Sequence, residues 1–198
     1  MVKRTYVIPL PCAIFAGGKS KRMGEDKTLL PFGGEKTLVA YQVKRLTPFF
    51  KHIVVVTKGD KFVGENFTVL EDCSDEFSPM VGLVTLFEQL PDQKVMVLAA
   101  DTPFVSAKTL QILAKHAKEE DDVTVLQTRG KIHPMCAIYD RRVLEPLKKC
   151  IADNKHKMTL FLESVTTRYV EAGSLEELAN LNTPQEYKLA QERITRCN

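Results

Sequence analysis

The chain has 198 residues, 44% of them hydrophobic, and a formal net charge of +3 with acidic and basic residues interspersed. That length suits one sizeable core, hence a single domain over 1–198, and the small mixed charge leaves no electrostatic footprint for nucleic acid. No apolar run approaches the roughly 20 residues of a membrane helix, and Met1 to Pro11 lacks the apolar stretch of a signal peptide, so the expectation is a cytoplasmic protein without a membrane partner.

The first element is the apolar run from Cys12 to Ala16, one buried strand, followed by Gly17-Gly18 as a sharp turn where the backbone can approach a ligand. Thr37 can cap a helix reaching about Thr47, with Pro48 as its stop. Ile53–Val56 reads as a buried strand and Thr68–Leu70 as a short one running into Glu71-Asp72. Pro79 opens a helix that closes before Pro91. Lys94 to Ala100 lacks polar alternation, the mark of a strand covered on both faces, and it leaves Asp101 at a strand's carboxyl end.

Ser106 caps a helix to about Lys118, strands follow at Val123–Leu126 and Met135–Tyr139, and helices at Arg142–Ile151 and Met158–Ser164. His133-Pro134 reads as a turn before the second of those strands. The last strand is Thr167–Val170, and Thr183-Pro184 starts a terminal helix to about Thr195. Alternating β and α units imply an α/β, three-layer αβα fold with a doubly wound, mainly parallel sheet. Ligands of such sheets bind in the crevice at the strands' carboxyl ends, where the Gly17 loop and Asp101 both fall.

The five cysteines, Cys12, Cys73, Cys136, Cys150 and Cys197, are odd in number and show no Cys-x-x-Cys spacing, so neither a disulfide framework nor a zinc site is indicated. Cys12 and Cys136 read as small core residues, Cys73 as a candidate reactive thiol in a polar loop, and none as catalytic.

The chemistry concentrates in the loop after the first strand. Lys19, Lys21, Arg22 and Lys27 all follow Gly17 closely, and a guanidinium grips a polyphosphate in two places, so the loop suits a triphosphate. It is not a P-loop, because Ala13 stands where that motif needs its first glycine, and Lys19 stands where a dinucleotide fingerprint needs another. Asp101 suits either a hard oxygen ligand for magnesium or a cap on the loop before the next helix, and the nearby phosphate loop favours the metal.

Phe15-Ala16-Gly17-Gly18, Arg22-Met23-Gly24, Asp26-Lys27 and Leu29-Leu30 together resemble the signature of the molybdenum cofactor guanylyltransferases within the nucleotidyltransferase superfamily. Asp101-Thr102-Pro103, Glu71-Asp72 with Pro79 and Gly82, His133-Pro134 and Asn180-Leu181-Asn182 extend the likeness along nearly the whole chain. The resemblance implies transfer of GMP from GTP to the molybdenum-molybdopterin cofactor with release of pyrophosphate. It implies Arg22, Lys27 and Asp101 as catalytic residues and Asp101 as the Mg2+ ligand. Phe15, Ala16, Gly17, Gly18, Lys27, Asp72, Gly82 and Asp101 would bind the nucleotide, and Asn180 and Asn182 would line the cofactor or metal side. A carrier or insertion protein, or a molybdoenzyme chaperone, is the implied partner.

Each of these residues has a plainer alternative: Asp72 ends a strand, Gly82 permits close helix packing, and Asn182-Thr183 caps the last helix. Two positions depart from the family pattern. Val56 and then Thr57 stand where the family commonly has asparagine at the end of the second strand, and Ser78 stands where some members have glycine, which requires an ordinary backbone angle there. The competing functions are CTP-dependent transfer to the same cofactor, transfer to a sugar or polyol phosphate, and a catalytically inactive nucleotide-binding or carrier protein.

Overall fold

The computed structural model describes residues 7–17, 24–72, 74 and 76–197. Gly18, Lys19, Lys21, Arg22 and Cys73 lie outside them. The apolar runs form the strands Cys12–Phe15 (β1), Ile53–Lys58 (β2), Thr68–Asp72 (β3), Lys94–Ala99 (β4), Val123–Thr128 (β5), Lys131–Asp140 (β6) and Thr167–Glu171 (β7). Among the described residues these make one sheet in the order β3-β2-β1-β4-β6-β5-β7. All neighbours are parallel except β6, which runs antiparallel to both β4 and β5.

Successive residues of each strand face opposite sides, and both sides are apolar. Cys12, Ile14, Val55, Met96 and Leu98 pack on one face beneath Leu38–Leu46 (α1) and Ala107–His116 (α3). Ala13, Phe15, Val54, Val95 and Val97 pack on the other, beneath Pro79–Gln89 (α2), Leu144–Ala152 (α4) and Met158–Glu163 (α5). The result is the three-layer αβα architecture of a mainly parallel sheet. A third, smaller cluster joins Phe32, Leu38, Leu181 and Tyr187, and so seats the terminal helix Pro184–Cys197 (α6) against the segment after Lys27. Among the described residues no helix is long and apolar enough to cross a membrane.

The strict alternation of strand and helix fails at β5 and β6, which form a hairpin. Arg129 (φ 50°) and Gly130 (φ 78°) both adopt the left-handed conformation that closes a tight two-residue turn. His133 consequently lies within a strand rather than in a turn, opposite Leu126. Pro134 is accommodated because the register shifts between Val125 and Leu126, so its missing N–H falls at an irregularity of the ladder.

Candidate active site

β1 is flanked by β2 on one side and β4 on the other, so the chain reverses its direction of travel across the sheet at β1 and β4, and the crevice opens there. The carboxyl ends of the three strands are locked level: Ala16 N donates to Val56 O (2.8 Å) and Ala100 N to Phe15 O (3.0 Å). Gly17 leaves from this edge. A Cβ on Gly17 would meet nothing within 4 Å, so no packing inside the described protein demands glycine, and the space is open to a ligand.

Asp101 enters the same edge through a turn in which Thr102 donates from N (3.3 Å) and Oγ1 (2.9 Å) to Ala99 O. Its carboxylate is not a helix cap, since the hydroxyl of Ser106 accepts from Thr109 N to start α3. Lys27 begins a single 3-10 turn, Lys27–Leu29, initiated by Asp26, whose Oδ1 accepts from the N (3.0 Å) and Oγ1 (2.6 Å) of Thr28. Burial alone would raise the pKa of Asp26, but hydrogen bonds from Lys61 and Thr28 outweigh it and hold the carboxyl below its ordinary value. A fixed anion therefore anchors the turn that carries Lys27.

The Lys27 ammonium donates to three oxygens: Asp101 Oδ2 at 2.6 Å, Leu181 O at 2.7 Å and Asn182 Oδ1 at 3.2 Å. Asn180 Nδ2 donates to the other Asp101 oxygen at 3.2 Å. Three chain segments far apart in sequence thus meet at the Lys27 and Asp101 pair. Asn182 does not cap α6; Thr183 does, its hydroxyl accepting from Glu186 N while Glu186 Oε2 accepts from Thr183 N, a reciprocal capping box. The side chain of Asn182 is left for Lys27.

Three oxygens around one ammonium are also the donor chemistry of a hard divalent cation. Among the described residues no group of three or more His, Cys, Asp or Glu could form a complete metal cage. The arrangement suits an ion that takes one carboxylate from the protein and most of its ligands from phosphates.

Beside this cluster lies a cavity of about 450 Å3 lined by residues of β1, β2, β3, α2 and β4. Phe15, Val56, Pro79 and Met135 give it apolar walls. Gly82 also borders it and packs against its wall: a Cβ there would lie 2.7 Å from Phe15 Cε1, so the missing side chain admits the phenylalanine ring. Ser78 has φ −134° and ψ 138°, an extended conformation open to any residue, and its hydroxyl caps α2 by accepting from Met80 N. Asp72, 6% exposed, ends β3 and pairs with Lys58 at 3.0 Å. Lys58 escapes a sequence reading that stops at Thr57; the signal for it is the parallel register, which sets the last residue of β2 beside Asp72. Arg22 and Gly18 lie outside the described residues. His133 does not line the cavity; burial, then the charge of Lys131, hold its pKa below the ordinary value.

The MobA-like NTP transferase domain matches residues 12–169 of the chain. A probable molybdenum cofactor guanylyltransferase of Carboxydothermus hydrogenoformans is 33% identical over 186 residues, covering 90% of this chain and 93% of its own. A molybdenum cofactor guanylyltransferase of Campylobacter jejuni is 29% identical, covering 90% and 94% respectively. Among solved structures, molybdopterin-guanine dinucleotide biosynthesis protein A of Archaeoglobus fulgidus superimposes with a TM-score of 0.80 at 22% identity, over 94% of this chain and 100% of that one, a likeness of fold. A switch-point crevice with a glycine turn, a lysine and a strand-end aspartate is thus found in a chain that belongs to the MobA-like NTP transferase family and is a nucleotidyltransferase.

Proposed function

We propose that this protein, as a single catalytic domain, transfers GMP from GTP to the phosphate of the molybdenum-molybdopterin cofactor, forming a guanine dinucleotide and releasing pyrophosphate. The observation that carries the reading is the meeting of Lys27, Asp101, Asn180 and Asn182 beside the Gly17 turn and an apolar-walled cavity. The names of the curated relatives supply the acceptor.

The acceptor phosphate oxygen attacks the α-phosphorus of the triphosphate. A new P–O bond forms, the bond between the α-phosphorus and the bridging oxygen breaks, and that oxygen leaves with its electron pair on pyrophosphate. The attacking oxygen is already anionic, so no protein nucleophile is needed. The protein's task is alignment and compensation of charge. Lys27 and Arg22 neutralise the phosphates and the leaving pyrophosphate. Gly17 and Gly18 let the backbone approach them, with Phe15 and Ala16 at the strand end behind. Asn180 and Asn182 hold Asp101 and Lys27 in position on the acceptor side. Asp101 would hold Mg2+, which would supply Lewis-acid charge neutralisation there.

On the same reading the partner is a cofactor carrier or insertion protein, or a molybdoenzyme chaperone, in the cytoplasm. The test offers the cofactor with each of the four nucleoside triphosphates and follows pyrophosphate. Release with GTP alone is expected, and exclusive use of CTP would overturn the guanylyl reading.

A further inference from the structure

The cavity has two polar ends. One is the Lys27 and Asp101 cluster beside the Gly17 turn, where phosphates belong. The other is at the carboxyl ends of β2 and β3, where Lys58 and Asp72 stand opposite each other in the parallel register. Their side chains are only 13% and 6% exposed, and both line the cavity. A triphosphate anchored at the first end directs its base toward the second.

The Lys58 and Asp72 groups are held in fixed positions. Asp72 Oδ1 accepts from Ser74 N at 2.9 Å, and Oδ2 lies 3.0 Å from Lys58 Nζ. Lys58 Nζ also donates to Ser74 O at 2.5 Å and lies 4.9 Å from the centre of the Phe77 ring. An ammonium carries three protons, and Asp72 and Ser74 take two. Among the described residues no other oxygen accepts from it, and the third proton is available to a ligand between the apolar walls.

An ammonium only donates, and an ionised carboxylate only accepts. Side by side they match the edge of a 6-keto purine, whose O6 accepts while the adjacent N1–H donates. Adenine and cytosine offer an exocyclic amino group in place of the keto oxygen, and donor would face donor in a nearly buried site. We infer that Lys58 selects the base, donating to O6 of a 6-keto purine while Asp72 accepts from N1–H. The inference rests on the reading of the cavity as the nucleoside triphosphate site.

Calorimetric titration of the intact protein with GTP, ITP, ATP and CTP in the presence of magnesium tests it without the acceptor. Inosine keeps O6 and N1–H but lacks the 2-amino group. The native protein should bind GTP and ITP within about tenfold of each other and ATP and CTP at least ~100-fold more weakly, the scale on which a site built around a hydrogen bond rejects its mismatch. Lys58→Met should shrink the GTP-over-ATP preference at least about tenfold, leaving the part that Asp72 exerts at N1, and Lys58→Arg, which keeps a donor, should preserve most of the preference. Far-ultraviolet circular dichroism reports whether each variant folds. A folded Lys58→Met that keeps the full preference overturns the role of Lys58 but leaves the triphosphate site intact. A native protein that binds ITP as weakly as ATP also overturns it, with no variant needed. Failure of the native protein to bind any of the four overturns the site itself.

Discussion

The Phe15 ring fills the space that Gly82 leaves open on α2. The two positions should therefore be coupled. Gly82→Ala forces the ring to move and should destabilise the protein by about 1–3 kcal/mol, the usual scale of overpacking. Phe15→Leu should relieve that clash, so the double variant should be more stable than the sum of the single effects by at least ~0.5 kcal/mol in chemical denaturation. Strict additivity would contradict that contact. At the phosphate end, Lys27→Ala and Asp101→Ala should each lower kcat on the order of 100-fold, as loss of one preorganised charge does. Turnover within about threefold of the parent would remove that residue from the transition state.

The central strands are legible because β1, β2 and β4 are unbroken apolar runs that only a sheet covered on both faces can use. β6 is half legible. Its second half is apolar, but Lys131 to Pro134 reads as polar turn because proline cannot donate to a ladder, and only the register shift beside Val125 admits it. The buried cysteines follow from the same strands. Burial pushes the Cys136 thiol in β6 up to about 12, and pushes Cys12 in β1 well above its ordinary value. Both should remain protonated and closed to iodoacetamide at pH 8, whereas Cys150, partly exposed on α4, should react. Peptide mass mapping before and after urea unfolding checks this, and labelling of Cys12 or Cys136 in the native protein would contradict the packing of the sheet.

At the scale of the whole molecule, buried and paired titratable groups set the response to acid. Asp26, Asp121 and Asp140 are each pushed up by burial but pulled further down by hydrogen bonds, from Lys61 and Thr28, from Arg168 and the backbone of Lys118, and from Arg142 and Gln93 respectively. Their contribution is fully present above the unfolded carboxylate value of 3.8 and is lost as pH falls through their lower folded values. His133 is depressed by burial and then by Lys131, so its contribution is complete above the unfolded value of 6.5 and declines below it. Urea midpoints should be flat above about pH 7, fall first below ~6.5 and again below ~4, and His133→Gln should remove the first step. A first step unchanged in that variant would assign it elsewhere.

The candidate site is legible in parts that share a local pattern and hidden where tertiary register makes it. The Gly17 turn, Lys27 and Asp101 follow or adjoin strands and can be found in one dimension. The Leu181 carbonyl and the ammonium of Lys58 enter only through the meeting of distant segments, a loop before α6 in one case and the end of β2 against β3 in the other. Their common purpose, on this account, is to hold a guanine nucleotide for attack at its α-phosphorus. The most direct test gives the protein GTP labelled at the α-phosphorus, with the molybdenum-molybdopterin cofactor and magnesium, and separates the products. The account predicts the label in a pyrophosphate-linked guanine dinucleotide, with one unlabelled pyrophosphate released for each transfer. Label retained in GDP with release of inorganic phosphate, or transferred to the protein, would contradict it.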